Sequence, residues 1–590
     1  NSGPTADIIA KAEAALRTGN ALLCYDLVDR LGRREAFGPE LSQRLDYLAI
    51  LSLAHCGSTQ RALDRYHSTQ KQSLASDQDW LALEGRLFKD LARQGGAGAQ
   101  FMYARAAESY WQAFRQTGGY FSAINAATMF MLSGDAGRAQ ALAREVLAQT
   151  ADLPGADELE RYNLLASQAE AALLLEDQDT ARRALRSADT LARSHRTSRA
   201  RTVQQLQLIC QHLRLSKTIP AVLTVPPQLF VYREQDIATG ELPPIHPRSD
   251  PHFAVPGIEL DGASAHVALL DPVDLCVVEQ LIDRGVHVSL AIPGSREALS
   301  ADWHARYEAG WTMRLARMLE RAGEIHPTRG FLPGEARWQR QHVVGRSLGL
   351  SRHAPDGIRS QWLGLIVEPV DNALRFGLKA LDTTRLRAIE RALADRHCPL
   401  SEQPRQAGMK ERRLCALLVA RFGDEQALDD ADLARLRTRV FAPLAQQLAT
   451  LGAKVLLRRS QGLSLLLALD DPQTAARCAA AVAQIHQDAL GAADTQARLP
   501  QEMRLLIHMA PVTVGADPLD AQAGLFGTEL AFCEAHAARV PPGGVFVTEA
   551  FVAAQGLSGE ATHRIEYVGE SLSAATTAAE RLFNLRPATP

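Results

Sequence analysis

The stretch Leu414-Cys-Ala-Leu-Leu-Val-Ala-Arg-Phe-Gly423 decides the fold of the last third of the chain. It is an almost unbroken apolar run that ends at a glycine, which is typical of a buried strand followed by a turn. A second stretch, Lys454-Val-Leu-Leu-Arg-Arg-Ser-Gln-Gly-Leu-Ser-Leu-Leu-Leu467, predicts a β-hairpin that turns at Ser460-Gln461-Gly462. We therefore expect a sheet whose first three strands come from these two segments.

Three later segments continue the same pattern. Leu505-Leu-Ile-His-Met-Ala-Pro-Val512 predicts a strand, and Leu525-Phe-Gly-Thr-Glu-Leu530 leads into a helix. Pro541-Pro-Gly-Gly-Val-Phe-Val-Thr-Glu-Ala-Phe551 predicts one further strand after a proline-glycine turn. Strands interleaved with helices indicate an α+β domain, which we place at 411–590.

From Leu414 to Phe551 these segments resemble class III nucleotidyl cyclase domains, which have a ferredoxin-like α+β fold. The resemblance implies where the functional residues of that family would fall in this sequence. The two metal-binding aspartates fall on Ala420 and Gln461, the purine-selecting lysine on Leu457, its partner aspartate near Thr528, and the transition-state asparagine and arginine on Ala531 and Ala535. All six positions hold other residue types, so the resemblance implies a degenerate domain.

The chemistry of the family explains why these replacements matter. Nucleotidyl transfer with two metal ions needs anionic oxygen ligands that hold Mg²⁺ against the triphosphate. Alanine at 420 and glutamine at 461 supply no such charge. We therefore expect no catalytic residues, no bound metal and no cofactor in this domain. The alternative is a divergent purine nucleotide cyclase that uses other residues.

Two pairs of charged residues near these positions have more than one interpretation. Asp424 and Glu425 follow Gly423 and either reach a metal or cap the next helix, where carboxylates favour the helix dipole. Arg458 and Arg459 in the hairpin either grip a phosphate with their guanidinium groups or are solvated.

Composition limits the other function classes. A chain of 590 residues is long enough for about three or four domains. The net charge is −3 with acidic and basic residues mixed throughout, so no basic face predicts binding to DNA or RNA. No apolar run approaches the length of a membrane span, and no signal peptide pattern opens the sequence.

The cysteines favour a cytoplasmic location. The chain has eight, at positions 24, 56, 210, 276, 398, 415, 478 and 533, and no two of them have zinc-site spacing. Several lie within apolar helical or strand patterns, which is typical of reduced thiols in a protein core.

The first 215 residues repeat a short pattern. A turn begins at Gly19, Gly57, Gly134 and Glu176, and a small residue follows five positions later each time. The gap between the second and third turns fits two units with a loosened turn at Gln94-Gly-Gly-Ala-Gly98. Apolar residues at helical spacing surround these turns, so we predict stacked helical hairpins of the tetratricopeptide kind over 1–215. Their concave face either binds a protein partner or braces the rest of the chain.

This N-terminal part also resembles the helical portion of the so-called TRAFs-binding domain. The matching segments are Tyr25-Asp-Leu-Val28, Leu45-Asp-Tyr-Leu-Ala-Ile-Leu51, Lys89-Asp-Leu91 and Ile124-Asn-Ala-Ala-Thr-Met129. In bacteria that family occurs ahead of cyclase-like domains, which is the order found here. The resemblance implies a bacterial signalling protein.

The middle of the chain predicts a Rossmann-like α/β domain over 229–400. Residues 216–228 form a proline-containing linker before it and 401–410 a polar linker after it. Strands at Gln228–Tyr232, Ala265–Leu270 and Val286–Ile292 surround a helix, Val273–Arg284, and this order favours a parallel sheet. Beyond it we expect one helical pattern from Ala301 to Glu324, a strand at 363–367 and a helix at 383–396.

Ligands of parallel sheets bind beyond the carboxyl ends of the strands. The bacterial relatives place Gly-His after the first strand and Cys-Gly-Ala-Asp before the helix, where this chain has Tyr232-Arg233 and Asp271-Pro-Val-Asp274. Asp274 and Glu279 keep their places, but the glycines that let backbone amides approach a phosphate are replaced. Tyr232, Arg233, Asp271, Asp274 and Glu279 are thus candidate ligand residues, and Asp274 is equally well explained as the first-turn acid of the helix.

The sequence as a whole favours a non-catalytic signalling scaffold or regulator. In this interpretation the helical repeats bind a protein partner and the cyclase-like domain forms a homodimer, because active cyclase sites are built across paired domains. The alternatives are the divergent cyclase and a nucleotide sensor whose ligand binds in the central domain.

Overall fold

The computed structural model of the chain describes residues 4–34, 37–69, 78–96, 98–192, 195–232, 260–331, 335–353, 358, 360–370, 373–395, 412–423, 429–450, 455–461, 463–491, 499–516, 523–558, 563–572 and 579–587. It divides into two compact units. The first comprises 1–226 with 355–359, and the second comprises 227–354 with 360–590.

Antiparallel helices build the first unit. They are α1 (Pro4–Arg17), α2 (Ala21–Arg34), α3 (Pro39–His55), α4 (Thr59–Ser68), α5 (Gln78–Arg93), α6 (Ala99–Thr117), α7 (Tyr120–Ser133), α8 (Ala136–Thr150), α9 (Glu158–Leu174), α10 (Gln178–Asp189) and α11 (Arg196–His212). Each helix from α1 to α9 packs on the next one, α7 also contacts α9, and α11 packs on α9 and α7. Stacked helical repeats are therefore confirmed for this part of the chain.

The predicted repeat turns have a common backbone conformation. Gly19, Gly57 and Gly134 have φ angles of 85°, 84° and 98°, and Glu176 has a φ of 60° at the fourth turn. This left-handed conformation suits glycine, which has no Cβ to clash. The small residues five positions later are all fully buried, namely Cys24, Ala62, Ala139 and Ala181. They let neighbouring helices approach closely, as the sequence pattern predicts.

The segment predicted as a linker belongs in part to the core of the first unit. Pro220–Val222 form a turn of 3₁₀ helix, and Ile219 and Leu223 are buried in the core formed by the helices. The fully buried Arg199 donates a hydrogen bond of 2.7 Å to the carbonyl of Thr224. Residues 219–224 are thus packed rather than extended, because apolar side chains lie between the prolines.

The second unit begins with a sheet of six strands. They are β1 (Gln228–Tyr232), β2 (Ser264–Ala268), β3 (His287–Ile292), β4 (Glu324–Pro327), β5 (Ser360–Val370) and β6 (Ala373–Ala380), in the order β4-β3-β2-β1-β5-β6. The first five are parallel and β6 is antiparallel to β5. Its helices are α12 (Pro272–Asp283), α13 (Arg296–Arg306), α14 (Ala309–Arg321), α15 (Ala336–Arg352) and α16 (Thr383–Asp395).

Some of the strands and helices of this sheet were predicted from the sequence and others were not. The strand at Gln228–Tyr232 and the parallel strand-helix-strand order are confirmed. The helical pattern predicted from Ala301 to Glu324 is present as two helices, because the chain is extended at Tyr307, and Glu324 itself begins β4. Both helices bury a tryptophan, Trp303 and Trp311, on the same core, so the apolar spacing continues across the break. Strands β4 and β6 had no sequence prediction.

The C-terminal sheet has eight strands. They are β7 (Arg412–Phe422), β8 (Val455–Gln461), β9 (Ser464–Leu469), β10 (Met503–Ala516), β11 (Ala523–Phe526), β12 (Val545–Thr548), β13 (His563–Ser571) and β14 (Glu580–Pro587). The order is β13-β14-β12-β10-β7-β9-β8, and β11 pairs with β10. Its helices are α17 (Asp430–Leu436), α18 (Ala442–Thr450), α19 (Pro472–Gly491), α20 (Thr528–Ala537) and α21 (Glu549–Leu557), with a π-helical turn at Arg437–Phe441.

The predicted hairpin is confirmed, because Gln461 at the end of β8 pairs with Ser464 at the start of β9. The hairpin of β13 and β14 was not predicted. The predicted boundary at 401–410 lies outside the described residues. In the described part of the chain the helices are too short or too polar to cross a membrane.

Candidate functional site

The first metal position of the resembled family lies in an apolar environment. Ala420 on β7 pairs in register with Leu465 on β9 and Leu505 on β10. It is fully buried in the same hydrophobic core as Leu418 and Phe422. A methyl group offers no oxygen ligand, and the surrounding side chains are hydrocarbon. This position cannot contribute a metal ligand.

The other family positions lie on β8 and α20. Leu457, Arg458, Arg459 and Gln461 all lie along β8. On α20, Thr528 and Ala531 are exposed and Ala535 is half-buried. Alanine has no hydrogen-bonding side chain, so these two positions of α20 offer nothing to a triphosphate. Asp424 and Glu425 lie outside the described residues.

The two aspartates of the central sheet hold each other and the backbone in place. Asp271 is the N-cap of α12, and its Oδ1 accepts hydrogen bonds from the amides of Val273 (2.9 Å) and Asp274 (3.4 Å). In return, Asp274 Oδ2 accepts from the amides of Leu270 (2.9 Å) and Asp271 (3.3 Å). This reciprocal arrangement is a capping box. Both carboxylates therefore have a structural explanation.

The remaining candidates of the central sheet are dispersed. Glu279 forms an ion pair with Arg314, which bridges α12 and α14. Tyr232 ends β1, and Arg233 lies outside the described residues. The structure does not bring Glu279 together with Asp271 or Asp274 by any hydrogen bond within the described part of the chain.

A cluster of charged side chains, from the buried Arg346 to the exposed Glu324, lies where the central sheet meets the C-terminal sheet within the second unit. We call it the junction cluster. Its members are Glu324, His326, Arg346, Glu549, Glu580 and Arg581. Three come from the central part of the chain and three from the C-terminal part, so the cluster forms only when the two parts pack together.

Arg346 is the centre of the junction cluster. Its Nε lies 3.0 Å from Glu549 Oε2, and its side chain is only 4% exposed. Its Nη2 donates a long hydrogen bond of 3.4 Å to Ser289 Oγ on β3. Its Nη1 is buried and has no hydrogen-bond partner among the described residues. A buried guanidinium with a free donor is unusual, because an unmade hydrogen bond in the interior costs stability.

Glu549 and His326 complete the charge pairing. Glu549 Oε1 lies 3.4 Å from Arg581 Nη1, and its Oε2 lies 3.7 Å from His326 Nδ1. The other nitrogen of His326 lies 3.3 Å from Glu324 Oε2. Glu549 therefore lies among three groups that are positive or can become positive.

The electrostatics follow from burial and these partners. Burial alone would raise the pKa of Glu549, but Arg346, His326 and Arg581 outweigh it and hold the pKa well below its ordinary value. The hydrogen bond from His326 lowers the pKa of Glu324 to about 2. Burial lowers the pKa of His326, and the charge of Arg346 lowers it further. Burial and the charge of Glu549 raise the pKa of Glu580 to about 8. At neutral pH the cluster thus combines ionised Glu549 and Glu324 with a protonated Glu580.

A cavity of about 40 Å³ adjoins the cluster, which leaves room for more than one water molecule. Its walls come from the ends of β3 and β4, from α15, from β10 and from the start of α21 and β14. The lining residues are Ala291, His326, Pro327, Thr328, Arg329, Phe331, His342, Val343, Arg346, His508, Met509, Glu549, Ala550 and Glu580.

Close packing of two helices holds the walls in place. A Cβ added to Gly349 of α15 would lie 2.3 Å from the carbonyl oxygen of Val552 on α21. One added to Gly345 would lie 2.4 Å from the carbonyl oxygen of Ala553, and one on Gly556 would lie 2.2 Å from that of Gly345. The glycines therefore bring the two backbones into direct contact.

A second buried pair fixes the same parts of the chain. Arg412 at the start of β7 donates to both carboxylate oxygens of Glu335, at 2.7 and 3.1 Å. It also donates to the carbonyl of Gly330 at 2.9 Å. Glu335 is 3% exposed. This two-pronged pair lies outside the lining of the cavity.

His508 on β10 has two partners. Its Nδ1 lies 2.9 Å from Thr548 Oγ1, and its Nε2 lies 2.9 Å from Glu529 Oε2. The ring is buried, with 3% of its surface exposed. Arg329 lies over the ring of Phe532, with its Nε 3.9 Å from Glu529. His508 and Arg329 both line the cavity, so these contacts to α20 hold part of its wall in place.

Sequence reasoning missed the junction cluster. Of its members only Glu549 lies in a segment that resembles the cyclase family, Pro541–Phe551, and the pairing is not local in sequence. One available signal was an arginine within the small-residue pattern Gly345-Arg-Ser-Leu-Gly349, because that spacing indicates a helix face that packs closely.

The first unit has a polar row along its inner helices. Lys89 on α5 donates to Asn125 on α7 at 3.2 Å, and Gln205 on α11 donates to Glu170 on α9 at 3.0 Å. Arg93 donates to the same Gln205 at 2.8 Å. Burial lowers the pKa of Lys89 to about 8. The row thus joins four inner helices through side chains that bind one another.

The described residues contain no group of three or more histidine, cysteine, aspartate or glutamate side chains placed to hold a metal ion. The seven cysteines that the structure describes are buried and reduced. Burial raises the pKa of Cys276 to about 11.

Comparison with known proteins gives one family match, to the Tetratricopeptide Repeats-Sensor family over residues 22–132. No curated protein matches the chain. Among solved structures, a thermophilic TPR protein from Thermus thermophilus is 14% identical with a TM-score of 0.27, covering 36% of this chain and 100% of that one.

Structures of cyclases are also similar to part of the chain. The adenylyl cyclase CyaB from P. aeruginosa is 12% identical with a TM-score of 0.26, covering 30% of this chain and 96% of that one. The adenylate/guanylate cyclase/hydrolase from Silicibacter pomeroyi is 21% identical with a TM-score of 0.23, covering 30% and 99%.

Proposed function

We propose that this chain is a non-catalytic signalling scaffold of the cytoplasm, with a helical-repeat domain at 1–215, a Rossmann-like domain at 229–400 and a degenerate cyclase-like domain at 411–590. The observation that carries the proposal is the environment of Ala420. The position that the resemblance assigns to a metal ligand is a methyl group enclosed by Leu465 and Leu505. Catalysis at this place would require a carboxylate in a hydrocarbon core, which is strongly unfavourable.

The helical repeats are the partner-binding part of the proposal. Stacked repeats present an extended concave surface, and such surfaces commonly bind proteins. The match to the Tetratricopeptide Repeats-Sensor family supports the same role. The resemblance to TRAFs-binding domains is consistent with a signalling partner.

The cyclase-like part is the dimerisation part of the proposal. The outward side of α20 carries the family positions Thr528 and Ala531, both exposed. In active cyclases the corresponding residues act across a domain pair, so this surface is the one we expect a second copy to cover. Light scattering of the purified chain checks this. We expect the wild-type chain to have the mass of two chains and Ala531→Arg to have the mass of one. A wild-type chain with the mass of one chain would contradict the proposed dimer.

Calorimetric titration tests the catalytic side. The purified chain is titrated with ATP, GTP, CTP and UTP in the presence of Mg²⁺ or Mn²⁺. The scaffold proposal expects no metal-dependent binding of any nucleotide at the C-terminal domain. Metal-dependent binding that Ala531→Arg abolishes would place a nucleotide on α20 and contradict it.

Photocrosslinking tests the partner side. Phe121 at the start of α7 is 59% exposed, so a photoreactive phenylalanine analogue fits there without disturbing the core. The same analogue at Tyr567, which is 38% exposed on β13, is the matched control. We expect defined protein adducts from position 121 in cells of the source organism, and none shared with position 567. Equal adducts at both positions would indicate non-specific contact.

A further inference from the structure

The junction cavity lies where parallel sheets bind ligands. Strand β3 ends at Ile292 and β4 ends at Pro327, and the cavity is lined by Ala291 and by Pro327–Arg329. These residues lie at the carboxyl ends of two neighbouring parallel strands. Crevices at that edge are the usual ligand sites of open α/β sheets.

Two side chains of the cavity wall carry buried atoms without a hydrogen-bond partner among the described residues, the donor Arg346 Nη1 and the acceptor Glu549 Oε1. Thr328 Oγ1 accepts from the amide of Gly294 at 2.7 Å and from Gln339 at 2.8 Å, so its own hydrogen remains to be donated. His342 also lines the cavity, and because burial lowers its pKa to about 4, its neutral ring carries one N–H donor.

The acidic residues in the walls do not make the cavity anionic. Glu549 is balanced by Arg346 and by Arg581, whose Nη1 lies 3.4 Å away. Glu580 is protonated at neutral pH because its pKa is raised to about 8. Arg329 adds a further positive charge to the lining, partly balanced by Glu529 at 3.9 Å. A protonated carboxyl also donates a hydrogen bond.

We propose that the junction cavity binds a small tetrahedral oxyanion, a phosphate ion or the phosphate group of a metabolite, through Arg346, Thr328 and His342. A phosphate offers several acceptor oxygens, and a guanidinium matches their geometry with charge-assisted hydrogen bonds. The ion would join the two parts through the protonated carboxyl of Glu580 on β14, because Arg346, Thr328 and His342 all come from the central part and the ionised Glu549 repels an anion. Occupancy of the cavity would therefore stabilise the junction.

The test is calorimetric titration of the full chain with inorganic phosphate and, separately, with ribose 5-phosphate, at constant ionic strength set with chloride. We expect one phosphate to bind per chain in the millimolar range or tighter, and to raise the unfolding temperature. Binding of inorganic phosphate alone identifies the free ion, and binding of both identifies a phosphate group on a larger molecule.

Matched variants decide whether the binding occurs in the cavity. The double variant Arg346→Met/Glu549→Gln removes both charges of the pair, so it leaves no unpaired carboxylate at 549 and is expected to fold. It should bind phosphate at least tenfold more weakly. Arg412→Met/Glu335→Gln removes the other buried pair, which does not line the cavity, and should retain wild-type binding.

Two results would overturn the proposal. One is the absence of phosphate binding by the folded wild-type chain in both titrations. The other is binding that Arg346→Met/Glu549→Gln leaves unchanged. Thr328→Val provides a second check, because it removes one hydroxyl without altering charge and should weaken phosphate binding without reaching the loss seen for the double variant.

Discussion

The surroundings of Ala420 and of Arg346 in the second unit differ from what the sequence led us to expect, the first being apolar and the second charged. Around Ala420, where the resembled family holds metal ligands, the side chains are hydrocarbon. Around Arg346, where the sequence shows no motif, buried charges from distant parts of the chain meet within 3.0 to 3.7 Å. The position that the resemblance assigns to a metal ligand is thus apolar, and the charged cluster lies where two sheets pack together. Resemblance alone would direct attention to the wrong place.

The largest expected change in stability comes from placing a charge in the apolar core around Ala420. Ala420→Asp would put an unpaired carboxyl into the core between Leu465 and Leu505, which should lower the free energy of unfolding by about 4 kcal/mol. Urea denaturation followed by tryptophan fluorescence measures the loss. When wild type and variants are all measured at chain concentrations low enough to be monomeric, Ala531→Asp, at an exposed family position, should change the same quantity by less than about 0.5 kcal/mol.

If Ala420→Asp were tolerated as well as Ala531→Asp, the position would be less apolar than the structure shows. The contrast between apolar surroundings at Ala420 and charged surroundings at Arg346 would then not hold for Ala420.

The next largest loss of stability is expected from removing a charge of the junction cluster. Arg346→Met should cost about 3 kcal/mol, because Glu549 keeps its buried charge with one partner fewer. Arg306→Met breaks an exposed pair with Asp302 on α13 and should cost less than about 1 kcal/mol. Thermal unfolding of both variants beside the wild type gives the comparison. Similar small losses would mean that the buried pair does not stabilise the junction.

The helix contact that positions Arg346 should be nearly as sensitive. Gly349→Ala places a methyl group against the backbone of Val552 and should cost about 2 kcal/mol through overpacking. Gly32→Ala on α2, where a Cβ meets nothing within 4 Å, should instead stabilise by up to about 1 kcal/mol. Hydrogen exchange of α21 should accelerate only in the first variant. Unchanged exchange there would contradict the close contact.

A pH dependence provides a further comparison. The pKa of Glu580 is raised to about 8 in the folded chain from an ordinary value of 4.5. Its contribution to stability is therefore complete below about pH 4.5 and is lost as the pH rises through about 8. Glu580→Gln should become more stable relative to the wild type between about pH 5 and about pH 9, as measured by unfolding temperatures. A constant difference would show that Glu580 is not protonated in the fold.

Local patterns account for what the sequence could predict. The repeat turns at Gly19, Gly57 and Gly134 are short-range signals that glycine makes visible, and the hairpin at Ser460–Gly462 is equally local. The strand at Gln228–Tyr232 is a compact apolar run between prolines and polar residues. Each of these features is decided within a few residues, so periodicity is enough to find it.

Non-local features were not predictable in the same way. Strand β4 is only four residues long and carries Glu324 and His326. It therefore lacks the apolar run by which a buried strand is recognised in a sequence. Strand β6 and the hairpin of β13 and β14 depend on neighbours for their burial. The junction cluster joins Arg346 to Glu549 across about two hundred positions, and such pairing leaves no periodic trace. The sequence also could not decide whether Asp271 belongs to a ligand loop or caps a helix. The hydrogen bonds from the amides of Val273 and Asp274 show that it caps α12.

The most direct test of the account is product analysis of the purified full chain incubated with ATP and with GTP in Mg²⁺ or Mn²⁺. Because Ala420 and Gln461 supply no anionic ligand, the account predicts that no cyclic nucleotide accumulates above the level of a heat-denatured sample. Metal-dependent formation of cyclic AMP or cyclic GMP would contradict it and would show that other residues of the chain hold the metal.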